Sequence, residues 1–198
     1  MKSTREDILT VALHLFAKDG YEAVSVSQIA GALGMTKGAL YRHYKNKRDI
    51  FEHIVKRMEQ QDGEQARQHE MPEECIENVP AEYQKVSIED FIGYSKNMFA
   101  YWTEDDFASS FRKMLTLEQF RNEEMQRLYQ QYLASGPAEY VQDLFETMGI
   151  REPKENAVRF YANMFFYYSV YDGAADKAEA RSQFEHMLMK IAEEIKRD

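Results

Sequence analysis

The segment SVSQIAGALGMTKGALYRHYKNKRDIF, residues 25–51, carries start and stop signals for a series of short helices. Ser25, followed three residues later by Gln28, forms a capping box, in which two side chains satisfy free amides at a helix N-terminus. Gly34 stands where glycine commonly ends a helix, and Thr36 is a new N-cap residue directly after it. This spacing predicts two short helices joined by a tight turn.

Helices on both sides complete an all-α head, predicted as residues 1–50. Before the segment, apolar residues recur on one face of a helix that closes near Gly20; they are Ile8, Ala12, Leu15 and Phe16. After it, Asn46 caps a further helix, with Asp49 at its third position. The apolar residues of that helix which we expect to face inward are Ile50, Phe51, Ile54 and Met58.

Charge is unevenly distributed along the chain. The whole protein has a formal net charge of -9, yet residues 36–48 contain five Lys or Arg residues and no carboxylate. Residues 1–56 hold nine basic and six acidic side chains, so the rest of the chain accounts for the acidic excess. A basic head on an acidic body is expected where the head alone meets a polyanion, whereas chance variation in surface charge is the plainer alternative.

Two short helices around a tight turn are the arrangement by which a helix-turn-helix reads DNA. The second helix enters the major groove, and its N-terminal residues meet base edges while flanking groups hold phosphates. The small residues of the TKGA run suit close approach to bases, and the helix N-terminus at Ser25 offers amides to a phosphate. We therefore predict DNA contacts at Ser25, Thr36, Lys37, Gly38, Ala39, Tyr41, His43 and Lys47.

Residues 8–51 resemble the DNA-binding head of the tetracycline-repressor (TetR) family. The resemblance rests on the pattern around Phe16, on Gly20-Tyr21, on Ile29-Ala30 and above all on GALYRHYKNKRDIF. It implies DNA contacts at Tyr41, His43 and Lys47, with Lys37, Gly38 and Ala39 at the base-reading end. It adds Arg42 to the contacts and makes Tyr44 a buried core residue. It also implies a homodimer on a palindromic operator in double-stranded DNA, with a small-molecule effector bound in the rest of the chain.

The remainder, residues 51–198, is predicted to be a larger helical bundle, and the resemblance makes it the effector-binding and dimerisation domain. A polar run over 59–85 is interpreted as the end of a helix and a connector. Amphipathic patterns then predict helices near 88–102, 105–121, 123–134, 138–148, 154–172 and 177–196. The predicted fold class is all-α throughout.

Aromatic and methionine side chains in this body are candidates for an effector pocket, because such side chains suit apolar or aromatic ligands. The acidic excess would also admit a cationic effector. A plain hydrophobic core is the competing interpretation of the same stripes. The candidate pocket residues are Tyr94, Met98, Tyr101, Trp102, Phe111, Met114, Tyr161, Phe165 and Tyr168.

The resemblance assigns dimerisation to the last two helices, and a single short helix-turn-helix covers too few base pairs to discriminate well, which independently favours a dimer. An ordinary core face is the alternative for the apolar stripe of the last helix. The candidate interface residues are Phe166, Tyr167, Val170, Phe184, Leu188, Ile191 and Ile195.

These features predict a ligand-responsive transcriptional regulator, a repressor released from DNA by its effector, with the helix over 47–61 carrying the response to the heads. A DNA-binding protein of the same fold that has no effector, and that acts through a protein partner or as an architectural factor, is the alternative. A repressor and a protein that binds DNA better with its effector are not distinguished by the sequence.

Other classes of function find little support. GALGMTKG is neither a dinucleotide fingerprint nor a P-loop, and no G-x-S-x-G motif is present, so we expect no enzyme and no cofactor. HEMPEEC, residues 69–75, does not have the spacing of a zinc site, so we predict no metal. With one cysteine, Cys75, and no apolar run of membrane-spanning length, we expect a cytoplasmic protein outside the membrane.

Overall fold

The computed structural model describes residues 4–69, 71 and 86–197, and this part of the chain is all-α, as predicted. It contains ten helices and no strand. They are α1 (Arg5–Asp19), α2 (Val26–Ala32), α3 (Lys37–Leu40), α4 (Lys47–Gln68), α5 (Ile88–Glu104), α6 (Asp106–Glu118), α7 (Glu123–Leu133), α8 (Ser135–Thr147), α9 (Pro153–Gly173) and α10 (Lys177–Ile195).

The capping signals of the N-terminal segment are confirmed. The Ser25 side chain accepts the backbone N–H of Gln28, and the Gln28 side chain accepts the backbone N–H of Ser25, which completes the capping box. Thr36 caps α3 by accepting the N–H of Ala39. At the start of α4, the Asn46 side-chain oxygen accepts the Asp49 N–H at 2.8 Å.

Three helix boundaries differ from the prediction by three residues or more, one of them the end of α6, which lies at Glu118 and not at residue 121. α4 runs to Gln68 and passes through Gly63, where the polar run had predicted the helix to end. Ala66 is 7% exposed, so packing on this extra turn offsets the weak helix propensity of the glycine. α8 begins at Ser135 and not at residue 138 as predicted, so Pro137 lies in its first turn. Proline is tolerated there, because the amides of the first turn have no hydrogen-bond partner within the helix. Residues 72–85 of the predicted connector lie outside the described residues.

The first of two compact units comprises residues 1–62 and 106–129. In it, α1 packs on α6, and apolar side chains from these helices and from α2 to α4 form one core. Fully burying each such large side chain contributes about 1.5–3 kcal/mol. Members of this core are Ile8, Leu13, Phe16, Ile29, Leu40, Tyr44, Phe51, Phe107, Phe111 and Met114. The burial of Tyr44, 2% exposed, is confirmed.

The second unit comprises residues 63–105 and 130–198. α9 lies at its centre and packs against α8, α10 and α5. Phe99 of α5 stacks on Phe184 of α10, with ring centroids 3.9 Å apart, and on Tyr168 of α9 at 5.6 Å. Such offset aromatic pairs add roughly 0.5–1.5 kcal/mol beyond their area burial. The functional boundary at residue 50 stays a prediction.

Candidate nucleic-acid interface

The turn between α2 and α3 is closed by backbone bonds and one glycine. The N–H of Met35 donates to the carbonyl of Ala30 at 2.9 Å, and Gly34 between them has φ +63, a conformation that favours glycine. Ile29 and Leu40 are fully buried, which fixes the inner faces of both helices on the core. The opposite face of α3 is thereby turned to solvent.

The N-terminus of α3 is small and exposed. Thr36, Lys37 and Gly38 are exposed, and Ala39 is half-buried. A Cβ atom added at Gly38 would meet no other atom within 4 Å, so the fold itself does not require a glycine there. An exposed glycine without a packing role lowers helix stability.

Polar groups of longer reach flank this slim end. Tyr41 is 43% exposed, Arg42 is exposed and His43 is half-buried. The Lys37 ammonium lies 5.7 Å from the centroid of the Tyr41 ring. The predicted base-reading residues and their flanking donors therefore lie on one continuous stretch, residues 36–43.

Lys47 lies at the start of α4 and holds the chain after α1. Its ammonium donates to the carbonyl of Tyr21 at 2.8 Å and to that of Glu22 at 3.3 Å, and it lies 4.3 Å from the Tyr21 ring centroid. An ammonium has three N–H donors, so these two bonds leave one for a phosphate. The polar groups of Ser25 are occupied by its capping box, and its DNA contact stays a prediction.

Arg48, part of the basic run, is directed to acidic side chains of the same unit. Its guanidinium makes two bonds to Glu124 of α7, at 2.5 and 2.6 Å, and one to Glu52 at 2.8 Å. The bonds from Arg48 lower the pKa of Glu124, and Glu124 in turn raises the pKa of Arg48. Sequence reasoning missed this pairing, because no local pattern indicates a partner 76 positions away.

The candidate effector residues do not all fall in one unit. Phe111 and Met114 are fully buried in the first unit, while the other seven belong to the second. Of those seven, Phe165 is 41% exposed, and Tyr161 donates its hydroxyl to the Leu133 carbonyl at 2.9 Å. The remaining five are buried or half-buried: Tyr94, Met98, Tyr101, Trp102 and Tyr168.

The apolar stripe of the last helix faces the core of its own chain. Its four residues are at most 6% exposed, which corresponds to the ordinary core face that was the alternative to an interface. They are Phe184, Leu188, Ile191 and Ile195. Other apolar side chains of α9 and α10 are exposed. Phe166 is 61% exposed and Tyr167 and Val170 are half-buried, while the sequence pattern missed Val158, Met187 and Met189.

Within the described residues, no group of three or more histidine, cysteine or acidic side chains is arranged to hold a metal ion. Glu70, Glu73, Glu74 and Cys75 of the HEMPEEC stretch lie outside the described residues. No described helix combines the length and the apolarity that a membrane span requires.

Known proteins share this N-terminal geometry. A family model described as bacterial regulatory proteins, tetR family, matches residues 8–54, which span α1 to α3 and the first turns of α4. Over these residues the chain is similar to the DNA-binding head of the TetR family. The description of this family is one of regulatory proteins and not of enzymes.

Curated relatives match only part of the chain. The HTH-type transcriptional regulator AcrR of Shigella flexneri is 44% identical over 63 residues, which are 32% of this chain and 29% of AcrR. The Transposon Tn10 TetC protein of Escherichia coli is 45% identical over 49 residues, 25% of each chain. The chain thus spans less than a third of the length of these curated relatives.

Solved structures share the fold over nearly the whole chain. PfmR, a TetR family regulator of Thermus thermophilus, has a TM-score of 0.65 at 21% identity and covers 96% of each chain. A SmeT–triclosan complex has a TM-score of 0.68 at 16% identity, covering 94% of this chain and 88% of that one. At these identities the likeness establishes the fold alone.

Proposed function

We propose that this protein is a transcriptional regulator, acting in the cytoplasm as a repressor, that binds a palindromic operator as a homodimer and responds to a small molecule. The observation that carries the proposal is the exposed end of α3. There, Gly38 has no packing role, the neighbouring residues are small or basic, and the buried residues beneath hold the helix in place. Such an end fits the major groove of DNA.

Each residue of this surface has a distinct task. Lys37, Gly38 and Ala39 approach base edges, with Thr36 holding the start of the helix. Tyr41, Arg42 and His43 donate to phosphates on the flanks, which sets the register of the head on the duplex. Lys47 adds its remaining N–H to a phosphate, and Ser25 places the start of α2 at the backbone.

Dimerisation would use the exposed apolar residues of α9 and α10. Phe166 and Val158 are 61% and 55% exposed on α9, and Met189 is 41% exposed on α10. A two-fold interface makes the same patch meet its own copy, which is the commonest arrangement of homo-oligomers. Two heads related in this way would read the two halves of a palindrome.

The effector would be an apolar or aromatic molecule bound in the second unit. Support comes from the seven candidate aromatic and methionine residues of that unit, and from SmeT, a protein of the same fold whose structure contains triclosan. α4 would carry the response, because its residues 47–62 belong to the first unit and its last turns to the second. An effector changes DNA binding only through different affinities for the two states of the protein.

A titration tests this function directly. Labelled DNA flanking the protein's own gene is titrated by fluorescence anisotropy over a range of salt concentrations, beside a scrambled duplex of equal length. We expect binding of the flanking DNA at least about a thousand times tighter than of the scrambled duplex, as is typical of specific DNA-binding proteins. Equal affinities for both duplexes would contradict a sequence-specific regulator. Thermal stabilisation by apolar compounds, saturable with concentration, then tests for an effector.

A further inference from the structure

A fully buried carboxylate lies in the first unit, far along the chain from the helix-turn-helix. Glu118 is the last residue of α6 and is 0% exposed. Its Oε1 accepts the backbone N–H of Tyr21 at 3.0 Å, across 97 positions of sequence. Its other oxygen has no hydrogen-bond partner in the described part of the chain. Burying a carboxylate is unfavourable unless its hydrogen bonds offset the loss of water, so this contact is the group's main compensation.

The chain after α1 is shaped around this carboxylate. Gly20 has φ +87, and a Cβ atom added there would lie 2.6 Å from the Glu118 Oε1 atom. A side chain at this position would therefore be strained in its backbone and would displace the carboxylate. The glycine allows the backbone to approach the acid closely enough for the next N–H, that of Tyr21, to reach it.

Tyr21 also has contacts other than the bond to Glu118. Its backbone carbonyl accepts a hydrogen bond from the Lys47 ammonium. The centroid of the Tyr21 ring lies 5.1 Å from the ring centroids of both Phe16 and Phe51. Glu118 of α6 thus holds the N–H of this residue, and Lys47 of α4 holds its C=O. The turn between α1 and α2 is tied by charged groups to two other helices of its unit.

We infer that Glu118 is a positioning residue for DNA recognition, acting through the Gly20–Tyr21 turn. The turn leads directly into α2, and the bond from Lys47 connects the same turn to the start of α4. Fixing it sets the direction in which α2 and then α3 leave the core. On this inference, which rests on the proposed function, residues 106–129 are part of the DNA-reading unit although they lie far from the head in sequence.

The Glu118 side chain supplies the acceptor that this turn needs, because its Oε1 atom accepts the Tyr21 N–H at 3.0 Å, an ordinary hydrogen-bond length. Arg121 lies beside the same oxygen, with its Nε 3.9 Å from Oε1 and its side chain 58% exposed. The closer partner of Oε1 is the Tyr21 N–H of the turn, so removing the Glu118 side chain frees the turn without leaving a buried cation behind.

The test compares Glu118→Ala and Glu118→Gln with Leu115→Ala, a control that removes a fully buried apolar side chain from the same helix. Two quantities are measured on the full-length protein, well below its unfolding temperature: the hydrogen-exchange rate of the Tyr21 amide and the affinity for the operator. For Glu118→Ala we expect roughly tenfold faster exchange and a similar loss of operator affinity, the usual effect of leaving a buried hydrogen-bond donor without its partner.

The controls separate positioning from simple destabilisation. Glu118→Gln keeps an acceptor for the Tyr21 N–H and should restore most of both quantities. Leu115→Ala should lower the melting temperature while leaving operator affinity within about twofold, because it spares the turn. Gly20→Ala displaces the carboxylate without removing it and should resemble Glu118→Ala in both quantities. If Glu118→Ala does not fold, Gly20→Ala takes its place in the comparison.

Three results would overturn the inference. Unchanged Tyr21 exchange in both Glu118→Ala and Gly20→Ala would show that the bond is not formed. Faster exchange with unchanged operator affinity would show that the turn does not position the head. An equal loss of affinity in Leu115→Ala would show general loosening of the unit. If the unaltered protein has no operator, the proposed function fails and the positioning role fails with it, whereas the exchange rates still report whether Glu118 holds the turn.

Discussion

Gly38 lies on the exposed side of α3, where an alanine would make a more stable helix. Replacing an exposed helical glycine by alanine stabilises a helix by up to about 1 kcal/mol. We predict that Gly38→Ala raises the melting temperature and yet weakens operator binding, because its methyl group would stand between the helix and the bases. Differential scanning calorimetry and DNA titration measure the two effects.

The matched control for this prediction is Gly31→Ala. Gly31 is exposed on α2 and, like Gly38, would place its Cβ with no atom within 4 Å. The gain in stability should be similar, but operator affinity should be retained. Equal losses of affinity in both variants would mean that α3 is not distinguished from α2 as the base-reading helix.

Lys47 is the second prediction at the scale of single residues. Lys47→Ala should weaken binding to all DNA sequences and reduce the slope of log affinity against log salt by about one, since one phosphate contact is lost. Changing Lys37 or Ala39 should instead alter which sequence is preferred. An unchanged slope for Lys47→Ala would mean that Lys47 contacts no phosphate and only binds the carbonyls of Tyr21 and Glu22.

At the scale of elements, the pairing of Arg48 with Glu124 joins α4 to α7 inside the first unit. The pKa of Glu124 is lowered in the folded protein, so the pair contributes stability above the ordinary carboxyl value of 4.5. That contribution is lost as the pH falls through the lower pKa of the folded state. A partly exposed pair of this kind is worth about 0.2–1 kcal/mol.

We therefore predict that Glu124→Gln melts at a lower temperature than the unaltered protein at pH 7, and that the difference closes as the pH falls below 4.5. Thermal unfolding across a pH series measures it. Glu123→Gln is the control, because that side chain is 93% exposed and 3.8 Å from Arg127. If the difference in melting temperature between Glu124→Gln and the unaltered protein stays constant with pH, the Arg48–Glu124 pair is not its cause.

The elements also show which parts of the structure a sequence can predict. The Ser25–Gln28 and Thr36 caps were predictable because the groups involved are three residues apart in the chain. The end of α4 was not, since the continuation through Gly63 depends on the burial of Ala66 by distant residues.

A sequence can predict that a helix has a buried apolar face, but it does not predict which residues that face packs against. The stripe containing Phe184 indicated an apolar face, yet nothing local distinguishes the core of one chain from a contact between two chains. Glu118 gave a faint signal, because an acid occupies the position that follows Phe111, Met114 and Leu115 on the inner face of α6. Its partner Tyr21 could come only from the folded chain.

At the scale of the whole molecule, the proposal requires two protomers. Phe166 is 61% exposed on α9, and a charge placed there would be buried without a partner in a two-fold interface. We predict that Phe166→Glu gives a monomer that is folded but binds the operator far more weakly. Sedimentation velocity measures the association state.

Phe120→Glu is the control for the dimer, because Phe120 is the more exposed phenylalanine, at 89%, and belongs to the first unit. This variant should sediment as the unaltered protein does. If Phe166→Glu also leaves the association state unchanged, the interface lies elsewhere on the molecule or the protein acts as a monomer.

A footprint of the protein on the DNA flanking its own gene, at moderate salt and with Gly38→Ala alongside, tests whether α3 reads bases in a dimer. We predict protection of two half-sites related by two-fold symmetry, with centres about one helical turn or a multiple of it apart, and reduced protection by the variant. Protection without symmetry, or weak uniform protection that both proteins share, would contradict a dimeric regulator that reads bases through α3.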